Sequence, residues 1–204
     1  MDAMKVSLSP KGVVMPFYVK KGTFIMRPTL NIRKMILAAL FLALAFVMPF
    51  LTGQIPEIGA MLCPLHIPVL LCGFVCGPLW GLAVGFAAPL LRSVILGMPP
   101  MFPAAVCMAF ELGAYGAVVG FMHKLLPQKK PNIYVSLLTA MLAGRLVWGS
   151  AMLVCLGIKG GSFTFAAFMT GAFTNAIPGI IVQIVLIPII VMLLDNLVRI
   201  NLKD

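Results

Sequence analysis

Three charged side chains stand inside stretches that are otherwise apolar: Arg92, Glu111 and Arg145. In a hydrocarbon surround an unpaired charge costs about 3 kcal/mol or more, so each needs a partner, water or a ligand. Helical rise sets their depth. Counted from one and the same side of the membrane, Arg92 lies about 7 Å, Glu111 about 12 Å and Arg145 roughly 17 Å inward. A polar cavity open to that side brings all three within reach of a ligand. One carboxylate neutralises one guanidinium, so the second arginine favours an anionic ligand. A guanidinium fork suits a carboxylate, which it holds with paired hydrogen bonds. Two plainer readings stand beside this one: a structural bridge from Glu111 to an arginine on a neighbouring helix, and an Arg92 that snorkels to lipid headgroups.

Other polar groups share the depth. His66 opens an apolar run, Asn175 and Gln183 lie in the last one, and Trp148 follows Arg145 by one helical turn. For each, an interhelical hydrogen bond or a packing contact accounts for its presence as well as ligand contact does. The expected substrate-binding set is Arg92, Arg145, Glu111, His66, Asn175 and Trp148, with Arg145 first because it is deepest. Enzyme chemistry has no foothold. No His-Glu-x-x-His helix, paired glutamates or glycine-rich phosphate loop occurs. The five cysteines, Cys63, Cys72, Cys76, Cys107 and Cys155, sit in or beside apolar runs without histidine at ligand spacing. They read as small packing residues rather than a metal site or a disulfide framework. No cofactor is expected on this chain.

The elements that position these groups must lie in a bilayer. Of 204 residues, 62% are hydrophobic and 10% charged, against about 25% charged in a soluble domain. Twenty charged side chains cannot cover a core of this size with a solvated shell. The net charge of +10 is not spread as a nucleic-acid surface would spread it. Basic residues gather before residue 35, at Lys124, Lys129 and Lys130, and at Arg199 and Lys203, with Lys159 the exception. Alternation of this kind is the positive-inside pattern.

The chain therefore reads as an all-α integral membrane protein with six transmembrane helices and both ends in the cytoplasm. Residues 1–32 form a basic, disordered cytoplasmic tail with no cleavable signal, and Met26 is a candidate start; residues 33–200 form the membrane domain. The expected helices are Met35–Thr52, Pro64–Cys76, Leu79–Gly97, Ala104–Met122, Ile133–Leu156, and Phe168–Leu197 interrupted at Pro178 and Pro188. Gly77-Pro78 divides the long run from Met61 to Gly97, because proline lacks a donor and disfavours helix before it. His123–Pro131 is the expected inner loop, Gly97–Pro103 an outer turn and Gly157–Thr164 an outer loop. The helix from Pro64 is short for a crossing, so the outer loop Gly53–Ala60 must reach below the membrane surface, where a protein-lined cavity shelters it. Small residues recur every fourth position: Ala39 and Ala43; Gly77, Gly81 and Gly85; Gly116 and Gly120. Such rows let helices approach closely.

The pair Ala39-x-x-x-Ala43 resembles the alanine motif of the substrate-binding (S) components of energy-coupling factor (ECF) transporters. The stretches LHIPVLLCGFVCGPLWGLAVGFAAPLLRSVILGMPP from Leu65, FELGAYGAVVGF in the fourth helix and NAIPGIIVQIVLIPII in the sixth resemble that family as well. The resemblance spans about residues 33–198. It implies a bacterial plasma-membrane subunit that binds a vitamin or related micronutrient from outside. A transmembrane coupling protein would dock on Ala39 and Ala43, and two ATPase subunits would use the ATP. The family is thought to deliver its ligand by tilting in the membrane, with the first loop as lid. A stand-alone secondary carrier is the alternative, with Glu111 as its relay carboxylate. Combined with the arginine excess, the resemblance favours a carboxylate-bearing vitamin such as pantothenate or folate.

Overall fold

In lipid no water satisfies the peptide groups, so each spanning segment must bond its own backbone, and a helix does this. The computed structural model describes residues 32–52, 63–127, 129–160, 164–174 and 176–201, of which 51, 52, 172, 173 and 195–201 by backbone alone. The expected tail before residue 32 and the Gly53–Ala60 loop lie outside the described residues. Among the described residues there is no strand. Helix α1 (Ile32–Val47) runs into a 3₁₀ turn, Met48–Thr52. Then come α2 (His66–Cys76), α3 (Pro78–Leu96), a π turn (Met101–Ala105) kinked at Phe102, whose backbone is extended, and α4 (Val106–Leu125). Helix α5 (Lys130–Ile158), a short α6 (Phe165–Met169), a second π turn (Thr170–Thr174) and α7 (Ile177–Asn201) complete the order.

Five of these segments are long and apolar enough to cross a membrane: Ile32–Phe50, Pro78–Leu96, Met101–Leu125, Lys130–Ile158 and Ile177–Leu194. Helix α2 has 11 residues, about 16 Å of rise, which is half of a hydrocarbon core of about 30 Å. Its shortness agrees with the sequence reading. So does the break after it. Gly77 holds φ +95° and Pro78 opens α3, where its missing N–H falls among donors that have no helical partner anyway.

The last third of the chain departs from expectation. A single helix from Phe168, interrupted at Pro178 and Pro188, is replaced by α6, a π turn and an α7 that passes through Pro188 without ending. Thr164 starts α6 by accepting from the Ala167 amide at 3.3 Å, the usual N-cap bond. Pro178 is the second residue of α7 and costs it no bond. Pro188 is fully buried; neighbouring helices hold the chain in line across the one lost bond. Helix α5 also begins earlier than expected, with Pro131 in its first turn. The loop expected over His123–Pro131 shrinks accordingly, because α4 continues to Leu125.

Helix α4 is the hub. It packs along α3 and α5 and touches α2, while α1 lies against α2 and α3, and α7 against α2 and α5. The α3–α4 crossing is set by glycine. A Cβ on Gly81 would stand 2.5 Å from the Gly116 carbonyl oxygen, and one on Gly120 would stand 2.5 Å from the Pro78 nitrogen. Backbone meets backbone there, which only the absence of side chains permits. The core around this crossing is apolar, built from Leu70, Leu112, Val119, Leu137 and Ile187. Leu79, Val94, Leu146 and Ile158 are exposed on the outside, as lipid-facing residues are. All five cysteines are free thiols, four of them buried and Cys63 half-buried.

Candidate functional site

Helical geometry puts residues four apart on one face, so α4 presents Glu111 and Tyr115 together. Both are buried, at 2% and 0% exposure. Helix α5 brings Arg145 to this face. Its Nη1 donates to Glu111 Oε1 at 2.9 Å. The break before α2 brings His66, the first residue of that helix, to the same oxygen, with Nε2 3.4 Å away. One carboxylate oxygen thus joins three helices. Arginine and histidine are 6% and 2% exposed. A buried ion pair recovers its desolvation cost only with good geometry, and the short Arg145–Glu111 bond supplies it.

Tyr115 packs edge-on against His66, with ring centroids 5.1 Å apart and planes at 76°. Gly144 on α5 makes room for that ring, since a Cβ there would stand 2.8 Å from Tyr115 Cδ2 and Cε2. Cys63, just ahead of α2, sets its thiol beside Arg145. Three polar atoms of this cluster are buried yet unpartnered among the described residues: Arg145 Nε, His66 Nδ1 and Tyr115 Oη. Each such atom costs about 1–3 kcal/mol while it lacks a partner, so the cluster has capacity to bond something more.

The sequence-predicted set divides. Arg145, Glu111 and His66 come together. Arg92 does not join them through any bond among the described residues; from the end of α3 its Nε donates to the Met98 carbonyl at 3.1 Å, at an exposed position. It ties α3 to the turn that leads to α4. Trp148 stacks on Phe168 of α6, with centroids 6.3 Å apart and planes at 28°, so its ring partner belongs to the protein. Asn175 lies outside the described residues. Tyr115 was not foreseen, although its i,i+4 spacing from Glu111 was a usable signal. On α1, Ala39 and Ala43 both face outward and are exposed, while Ala38 and Ala45 point into the core.

With this geometry in view, a family model described as ECF transporter, substrate-specific component, matches residues 33–191. No curated protein and no solved structure matches the chain.

Proposed function

Because this chain belongs to the family of ECF transporter substrate-specific components, we propose that it captures a small vitamin-like molecule outside the bacterial plasma membrane and delivers it inward with a separate, ATP-driven module. The family match carries this reading. Six crossings with both termini cytoplasmic belong to the proposal: five long spans and the short α2, ordered by the basic residues at alternate ends. The coupling protein would dock on the open alanine row of α1, and two ATPase subunits would supply the energy.

The ligand would sit against the Arg145–Glu111–His66 cluster. Arg145 spends Nη1 on Glu111 and keeps Nε unpartnered among the described residues, a donor suited to a ligand carboxylate. Tyr115 Oη and His66 Nδ1 add two further polar contacts. A carboxylate-bearing vitamin such as pantothenate or folate fits this lining, with Asn175, Trp148 and Arg92 as outlying contacts. Mass spectrometry of the ligand that copurifies with the full chain identifies it. Isothermal titration then tests the site. Arg145→Gln is expected to weaken binding by about 2–5 kcal/mol, and the neutral pair Glu111→Gln/Arg145→Gln is expected to stay folded yet bind as weakly. Full affinity in that folded double variant, or a cationic native ligand, would overturn the arginine assignment.

A second reading rests on the Glu111–His66 contact, since a buried carboxylate beside an imidazole is what a proton-coupled carrier needs. Uptake that persists in cells lacking the energising module would favour it.

A further inference from the structure

At the end of the bundle where α1 starts and where α2 and α4 finish, a cavity of about 470 Å³ opens. It lies at the opposite end of α2 from His66 and the Arg145 cluster, and the transport reading does not use it. Lys34 of α1 and Lys124 of α4 both line it. Lysine stems usually extend into water, yet Lys124 folds back over the α2–α3 turn: a Cβ on Gly77 would stand 3.3 Å from its Cε and 3.4 Å from its Nζ. His123 lines the same wall, its ring held edge-on by Phe74 at 5.1 Å. Among the residues whose side chains are described, no carboxylate lines the cavity. Two cations from different helices therefore converge on one concave space. The remaining wall is apolar and reaches the lipid side, where Leu37 and Val75 are 37% and 38% exposed.

We propose that this cavity holds the headgroup of one anionic phospholipid, with its phosphate between Lys34 and Lys124 and an acyl chain along Leu37 and Val75. Paired ammonium groups supply the charge complement of a phosphodiester. The apolar wall continuous with the lipid-facing surface fits a molecule that is anionic at one end and hydrocarbon at the other, which a soluble anion is not. Basic pockets between helices at the cytoplasmic side favour such headgroups. Because α1, α2, α4 and α7 all contribute lining residues, the bound lipid would tie α1 to the rest of the bundle.

The test is native mass spectrometry of the full chain in detergent, titrated with phosphatidylglycerol or phosphatidylcholine. The protein is expected to retain one phosphatidylglycerol in preference to phosphatidylcholine. Lys34→Gln and Lys124→Gln should each reduce that retention roughly fivefold, and Lys34→Arg/Lys124→Arg should keep it, which separates loss of charge from loss of fold. Lys129→Gln/Lys130→Gln removes the same charge from the start of α5 and should leave retention unchanged. Equal retention by the Lys34→Gln/Lys124→Gln protein would overturn the proposal, as would an equal loss in the Lys129/Lys130 variant. Displacement of the lipid by millimolar inorganic phosphate would overturn it in favour of a soluble anion. Asp195 follows the lining residue Leu194 in sequence; a tenfold or greater gain in retention on Asp195→Asn would mean that a carboxylate of the chain already occupies the lysines, and would overturn it too.

Discussion

Helices α4 and α1 carry the same sequence device and use it in opposite ways. Each has two small residues four apart, Gly116 and Gly120 on one, Ala39 and Ala43 on the other. In the most apolar 18-residue window of each span, 56% of the residues around α4 are buried and 17% of those in α1. The glycines are spent inside the molecule, where a Cβ on Gly120 would collide with the backbone at Pro78. The alanines face outward, with no helix over them among the described residues, while Ala38 and Ala45 make the inward contact. A small-residue row thus marks a close approach without saying whose. Only the position of its helix in the bundle separates a contact already made from one left open.

The contrast predicts a ladder of effects. The largest belongs to the buried face of α4. Glu111→Ala strands Arg145 without its partner and is expected to cost about 3–5 kcal/mol, read as a large drop in the thermal midpoint of the detergent-purified protein. The glycine crossing comes next. Gly116→Ala sets a methyl against Gly81 backbone, which cannot swing aside as a side chain would, and should cost about 1–3 kcal/mol; an unchanged midpoint would mean the crossing is looser than described. Arg92→Gln removes one exposed bond to Met98 and should cost about 1 kcal/mol or less, with ligand affinity retained if Arg145 is the contact. At the bottom of the ladder, Ala39→Leu and Ala43→Leu should shift stability by no more than about 0.5 kcal/mol, yet uptake in cells should fall while ligand binding to the purified protein survives. Loss of binding in those two variants would move the alanine row into the folded core and erase the contrast.

Much of this arrangement could be read from the chain, for a physical reason. Lipid forces apolarity and internal hydrogen bonding on every crossing, so α1, α3, α4 and α5 announce themselves by length and composition, and the short α2 by its apolarity and the Gly77-Pro78 break that ends it. Isolated charges announce themselves in the same way, which is why Glu111 and Arg145 stood out and proved to be partners. What the sequence concealed was the work of neighbours. Pro188 looks like a helix breaker, but buried among packed helices it only removes one bond. The π turn at Thr170–Thr174 carries no residue pattern of its own, whereas the one at Met101–Ala105 overlaps the proline-rich turn expected over Gly97–Pro103. Tyr115 passes for an ordinary aromatic in an apolar helix until Gly144 opens the space that lets it meet His66. Arg92 and Arg145 look alike in the sequence; the turn at Met98 takes up one, and Glu111 takes up the other.

The shortness of α2 has an electrical consequence. His66, which touches Glu111, opens that helix, and Cys76 closes it at the end where Lys34 and Lys124 converge. Eleven residues give about 16 Å, so with Lys34 and Lys124 at the inner surface, as the proposed topology has them, the Arg145 cluster would lie near the middle of a hydrocarbon core about 30 Å thick. A singly charged anion held there has roughly half the membrane field still ahead of it. Drawn onward into a negative interior, it works against about 1.2 kcal/mol for every 100 mV. That is about a sevenfold bias back toward the outside, and an energised importer must override it on each delivery.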